Sequence, residues 1–448
     1  MKILRLLTVI LLTFVINISF AQKAWAFCGF YVAKADTKLY NQASQVILAR
    51  DGDRTVLTMA NDFQGDVKDF AIVVPVPVVL QQDQVNVGDP NIIERLDAFS
   101  APRLVEYFDP DPCAPIELRN APEVAPRMTG GGGTRGGPEA DSALGVTVES
   151  RFTVGEYDIL ILSAKESNGL ETWLRQNGYR IPRGASQLLR PYIRQNMKFF
   201  VAKVNLQEFE KAGYQFLRPL QMAYESSRFM LPIRLGMMNA TTDQDLLVYV
   251  LSPNGQAEIT NYRTVNVPSD TEIPVFVKNE FGDFYKAMFQ TAYTREGKKV
   301  AFREYAWDMG SCDPCSAEPL TPEELRKAGV FWLNSPSPNN GWMRPPSQIN
   351  VFITRLHVRY TRDKFPEDLM FQETSNRQQF QGRYVLRHPF TGEMKCAMGR
   401  QYQQSLKERF EEEAQTLAKL TGWDIQNIRK KINIAQGEST PWWRNLWR

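Results

Sequence analysis

Gln45-Val46-Ile47-Leu48-Ala49-Arg50-Asp51-Gly52-Asp53-Arg54-Thr55-Val56-Leu57-Thr58-Met59 sets two β-forming runs on either side of an Asp-Gly pair. Such a pair is a strong hairpin signal, because glycine adopts the positive φ that a tight turn between twisted strands requires. The stretch therefore predicts an antiparallel hairpin of residues 45–50 and 54–59, the seed of a sheet. Around it, residues 30–79 read as strands and turns. Residues 70–80 are almost wholly apolar and β-branched, as in a buried strand, yet Pro75 and Pro77 cannot donate to a ladder. That combination places the strand at a sheet edge or at a corner.

Downstream, residues 91–99 and 101–108 read as two short helices that end in Asp109-Pro110-Asp111-Pro112-Cys113. Between Pro115 and Ser142 the composition turns to Pro, Gly and polar residues, which predicts an exposed loop or linker. Gly131 to Gly136 satisfies the dinucleotide pattern G-x-G-x-x-G by chance, since no strand leads in and Pro138 follows where a helix would begin. Strands return at 146–162, helices at 169–177 and 185–197, and further strands at 199–204, 229–235, 246–251 and 272–277. Residues 281–293 form a helix with Phe284, Tyr285, Met288 and Phe289 on its core face. Residues 348–360 alternate as a strand, with Phe352, Leu356, Val358 and Tyr360 on one side and His357 on the other.

Residues 382–387 and 393–397 flank a turn at 388–392. The end is helical: Tyr402, Leu406, Phe410, Ala414 and Leu417 recur at helical spacing, Gly422 breaks the pattern, and residues 423–434 make a second helix. The expected fold is α+β, with antiparallel β-sheets, peripheral helices and a C-terminal helical segment. The expected organisation is a signal peptide at 1–26, an N-terminal β-rich region with two short helices at 27–117 and a Gly/Pro-rich linker at 118–143. A central α+β domain at 144–397, a helical segment at 398–436 and a Trp/Arg-rich tail at 437–448 follow.

Residues 1–26 carry the compartment. Lys2 and Arg5 precede an apolar run from Leu6 to Phe20, and Ala24-Trp25-Ala26 supplies the small residues of a signal peptidase site, so export and a mature start at Phe27 are expected. The run is shorter than the roughly 20 apolar residues that span a bilayer. Losing Lys2, Arg5 and Lys23 balances the 53 basic residues of the precursor against its 50 acidic ones. No basic excess remains for nucleic acid. At 43% hydrophobic and 11% aromatic, the chain can bury substantial cores.

Cys28, Cys113, Cys312, Cys315 and Cys396 all lie beyond that signal. In an oxidising compartment thiols pair, and an odd number leaves at least one unpaired, with the pairing itself open. Cys312-Asp313-Pro314-Cys315 is the most suggestive spacing. Its expected role is a structural disulfide, within the pair or to Cys113 or Cys396; the rival is a thiol–disulfide oxidoreductase, which needs a helix N-terminus to stabilise the thiolate. The next good helix start comes later, at Thr321, with Glu324 completing a capping box.

His357 and His388 are the only histidines, and no G-x-S-x-G, H-E-x-x-H or P-loop pattern occurs. Histidine is the commonest general base, so no catalytic residue, metal site or cofactor is assigned. Asp109, Asp111 and Asp313 read as turn formers rather than calcium ligands. Trp442, Trp443 and Trp447 with Arg444 and Arg448 make a cationic, aromatic tail suited to peripheral membrane or partner contact.

Several stretches, taken in order, resemble a bacterial family: Cys28-Gly29-Phe30-Tyr31-Val32, residues 45–62 with 70–77, residues 100–113 and 229–235. Asn261-Tyr262-Arg263-Thr264, residues 312–315, and residues 355–360 through 382–389 complete the set. The family is DUF2330, of uncharacterised secreted proteins. The resemblance implies an exported domain without established activity and offers no catalytic residues to carry over. The expected function is a non-enzymatic binding or structural role in the bacterial envelope, with an envelope protein or ligand as partner.

Overall fold

The hairpin forms as its sequence demands. Strands Ala43–Asp51 and Arg54–Met59 pair antiparallel up to Asp51 opposite Arg54. Gly52 takes the positive φ of the turn, 59°, at its first central position, which is the II′ arrangement. The computed structural model describes residues 30–33, 43–60, 70–114, 146–177, 185–211, 217–238, 243–311, 313, 317–333 and 349–437.

The hairpin sits inside a nine-stranded sheet. Its order is Arg263–Asn266, Val300–Asp308, Phe352–Tyr360, Gln244–Ser252, Ala43–Asp51, Arg54–Met59, Leu220–Glu225 and Val85–Val87, with Phe380–Gln381 also pairing with Val300–Asp308. Most neighbours are antiparallel; Ala43–Asp51 runs parallel to Gln244–Ser252 at the centre. Strands from residues 43–87 and from 220–381 thus share one sheet. A second, five-stranded sheet runs Phe30–Ala33, Phe70–Val76, Lys198–Val204, Tyr157–Ala164, Val146–Val154.

The two sheets share one core. Val46, Leu48 and Leu57 of the large sheet join Ile72, Val74, Ile159, Ile161 and Phe200 of the small one, all essentially inaccessible. Side chains alternate across a strand, so Ile47 and Ala49 point the other way, onto Ile92, Leu96 and Phe99 of helix Pro90–Ser100 and Leu325 of helix Pro322–Lys327. Burial on both faces is why the Val-Ile-Leu-Ala run lacks polar alternation. Phe199 and Val201, on the far face of the small sheet, meet Leu170 and Leu174 of helix Ser167–Gln176 and Leu189 and Tyr192 of helix Ala185–Arg194. Each fully buried side chain of this size contributes about 1.5–3 kcal/mol.

The fold is α+β, with several mostly antiparallel sheets and a C-terminal helical segment. Helix Ala397–Thr421 stops where Gly422 adopts a left-handed φ of 75°, the expected end of a helix. Helix Ile425–Gly437 then folds back. Ala414, Leu417 and Ile428 pack on Phe284 and Met288 of helix Phe281–Arg295.

Several local readings change. Residues 272–277 are not one strand, since Thr271–Glu272 pairs only briefly and Val275–Glu280 is a 3-10 helix after Pro274, and of residues 229–235 only Met230–Leu231 is strand. Residues 101–108 are not a helix: strand Arg103–Phe108 pairs parallel with Arg383–His388, a partner about 280 residues away that local propensity cannot anticipate. Of residues 382–387 and 393–397, expected to flank a turn at 388–392, only the first is a strand, Arg383–His388, and the second leads to Cys396, the N-cap of helix Ala397–Thr421. Phe70–Val76 lies inside its sheet only over Phe70 to Val73, where Phe30–Ala33 covers it. From Val74 to Val76 the described pairing is on one side only, with Lys198–Val204, which accommodates the missing N–H of Pro75.

Candidate functional site

A β-bulge sets a highly charged interior point of the described structure. Arg303 opposes Leu356 and Tyr305 opposes Arg355, so Glu304 is an extra residue in its strand. Bulges re-aim side chains. The carbonyl of Glu304 accepts the Gly382 N–H at 2.7 Å, and its side chain, 1% exposed, enters the face carrying Arg355 and His357.

There Glu304 Oε2 accepts from Arg355 Nε at 2.7 Å, and Oε1 accepts from His357 Nδ1 at 2.7 Å. The hydroxyl of Tyr285 also donates to Oε1. His357 Nε2 reaches Asp245 Oδ1 at 3.1 Å, and Arg359 holds both oxygens of Asp245 at 2.7 and 2.8 Å. At the other end Arg355 Nη1 and the Tyr249 hydroxyl donate to Asp97 Oδ1 at 2.8 and 2.9 Å. Phe289 stacks on the imidazole at 4.0 Å between centroids. Arg355, His357 and Arg359, spaced two apart on one face of one strand, therefore meet Asp97, Glu304 and Asp245 with charges balanced.

Both neighbours of the imidazole are carboxylates, which only accept, so both ring nitrogens carry protons. Burial works against this cation, but the charge of Glu304 and the bonds to both carboxylates hold its pKa up to about 9. Burial also opposes the Glu304 carboxylate, yet His357 and Arg355 hold it down to about 2. Burial raises Asp245 too, and His357 and Arg359 more than offset it, leaving it well below the usual carboxylate range. Each carboxylate oxygen of Glu304 and Asp245 is thus engaged and the imidazole has no lone pair to offer. This constellation ties strands Val300–Asp308, Phe352–Tyr360 and Gln244–Ser252 to the helices laid on them.

The sign of its pH dependence follows. The folded pKa of His357 lies above its ordinary value near 6.5, so its contribution is complete below about pH 6.5 and lost as pH rises through about 9. That of Glu304 is complete above its ordinary 4.5 and lost as pH falls through about 2. Urea unfolding is expected to show stability declining by about 3 kcal/mol between pH 6.5 and 9, with His357→Gln flattening the slope. An unchanged slope in that variant would remove His357 as the titrating link.

Of the residues singled out from sequence, Cys113 and Cys396 come together, joined by a disulfide with Cα atoms 5.9 Å apart. Cys28, Cys312 and Cys315 lie outside the described residues, as do Trp442, Trp443, Arg444, Trp447 and Arg448. Around the disulfide, Asp109 Oδ2 accepts from Tyr402 and Arg409, each at 2.6 Å. Asp111 Oδ1 accepts the Cys113 N–H at 2.8 Å, an Asx turn. Asp313, elsewhere, accepts from Tyr305 and Gln381 at 2.8 and 2.7 Å. His388 meets Glu106 at 2.8 Å and stacks on Phe108. Sequence reasoning placed His357 on its face but missed Glu304, Arg355, Asp97 and Asp245. The available signal was the Arg355-x-His357-x-Arg359 alternation inside an otherwise apolar strand.

Fold and site together define an α+β protein of two large and two small sheets, with a self-neutralised charge network on its nine-stranded sheet. The chain belongs to the family described as "Uncharacterized protein conserved in bacteria (DUF2330)", whose model matches residues 22–372. That span holds both sheets' long strands and the whole charge network, while Cys396 and the C-terminal helices lie beyond it. No curated protein and no solved structure matches the chain.

Proposed function

We propose that this chain is an exported component of the bacterial envelope whose role is binding or structural rather than catalytic. The Cys113–Cys396 disulfide carries the reading: the two residues are 283 positions apart, and such bonds persist in oxidising compartments. The signal-like residues 1–26 support it from the other end of the chain. The closed network around Glu304 adds that a highly charged interior point spends its groups on one another. Among the described residues no helix is long and apolar enough to cross a membrane.

Fractionation of expressing bacteria tests the proposal. The mature chain is expected in the periplasm or medium, starting at Phe27, with peptides of Cys113 and Cys396 linked after thiols are blocked before digestion. The same map reads Cys28, Cys312 and Cys315. Recovery in the cytoplasm with residues 1–26 intact and all thiols blocked would overturn it.

A further inference from the structure

The outer face of the small sheet carries a cleft of about 590 Å³ beside the end of helix Ser167–Gln176, within the size range of small-ligand sites. Strand register builds it. Thr153, Asp158 and Lys203 stand side by side across three strands, and Arg151, Leu160 and Val201 form the next row on the same face. Trp173 and Asn177 close one side.

The polar groups are unlike those of the Glu304 network. Arg151 and Lys203 have no ion-pair partner among the described residues. Asp158 takes one hydrogen bond, on Oδ1 from the Thr153 hydroxyl at 2.9 Å. Asn177 gives its amide N–H to the Trp173 carbonyl at 2.9 Å, and its amide oxygen has no described partner. The cleft thus sets donors and acceptors together beside an indole and an apolar floor of Leu160 and Val201.

We infer that this cleft binds an acidic saccharide. Hydroxyls both donate and accept, matching a carboxylate and an amide oxygen next to a guanidinium and an ammonium. An indole offers a large surface for the C–H face of a sugar ring. Two cations against one carboxylate leave a positive excess, which a uronate or lactyl carboxylate would neutralise only with Arg151 and Lys203 acting together. The inference deepens the binding role proposed above by naming a ligand class.

Isothermal titration calorimetry of the mature protein with trigalacturonate, N-acetylmuramic acid and neutral maltotriose tests it. At least one acidic sugar is expected to bind about tenfold or more tightly than maltotriose, and Trp173→Ala to weaken it by about tenfold. Lys203→Met is expected to erase the preference for the acidic sugar, while Trp173→Tyr retains most of the affinity. If Trp173→Ala fails to fold, Trp173→Tyr and Lys203→Met decide on their own. No heat from either acidic sugar at millimolar concentration, equal binding of acidic and neutral sugars, or binding that Lys203→Met leaves untouched would each overturn the assignment. Failure here is separable from failure of the export reading, which is tested by fractionation and peptide mapping without any ligand.

Discussion

Glu304→Ala is expected to lower the unfolding free energy by about 3–5 kcal/mol, the cost of leaving buried charges without their partner. Two cations depend on this carboxylate: Arg355, 6% exposed, and His357, 12% exposed. Each would keep a second carboxylate, Asp97 or Asp245, at the rim of the network, but the pocket between them would hold unmatched positive charge. Glu304→Gln, which keeps the shape and loses the charge, is expected to fall between wild type and alanine. Replacing Glu304 and Arg355 together by leucine and methionine should recover much of the loss, because an apolar pair of similar volume needs no compensation. Urea denaturation of the four proteins at pH 6 reads this directly. A loss below about 1 kcal/mol for Glu304→Ala, the scale of exposed ion pairs, would mean that water reaches the network and the tie is superficial.

Cys396→Ser is expected to cost about 2–4 kcal/mol through the larger freedom of the unfolded chain. Its bond closes a loop spanning 283 positions, and loop-closure entropy grows with length, though only logarithmically. The native neighbours limit the local damage: Asp109 still bonds Tyr402 and Arg409, so the start of helix Ala397–Thr421 should stay docked. The variant is therefore expected to keep the wild-type circular dichroism spectrum while melting at lower temperature. Wild type in reductant should melt like the untreated variant. A variant as stable as oxidised wild type would show that the ion pairs around Asp109 already fix this junction.

What could be read in advance depended on whether the relevant partners were close in sequence. The hairpin at Gly52, the capping box of Thr321 and Glu324, and the helix stop at Gly422 are settled within a few residues, and each formed. Arg103–Phe108 was misassigned because its neighbour Arg383–His388 arrives far later in the chain. The charge network was hidden for a related reason. His357 and Arg355 show their shared face in the strand pattern, but Glu304 reaches that face through a single-residue bulge that no alternation rule foresees. The pairing of Cys113 with Cys396 was one of several open arrangements, and only their proximity in space selects it.

The parallel pairing at the centre of the large sheet bears on when the molecule can take shape. Gln45 and Tyr249, hydrogen-bonded across that seam, are 204 residues apart, and the next strand outward, Phe352–Tyr360, is later still. While a ribosome is still making the chain, the early hairpin has only itself to pair with, and two-stranded ribbons are at best marginally stable in water. The protein must therefore spend most of its synthesis without a finished core, since long-range pairing is slow and cannot precede its partners. Such a schedule fits the export proposed above, because a chain still lacking its central partners has not yet closed its core.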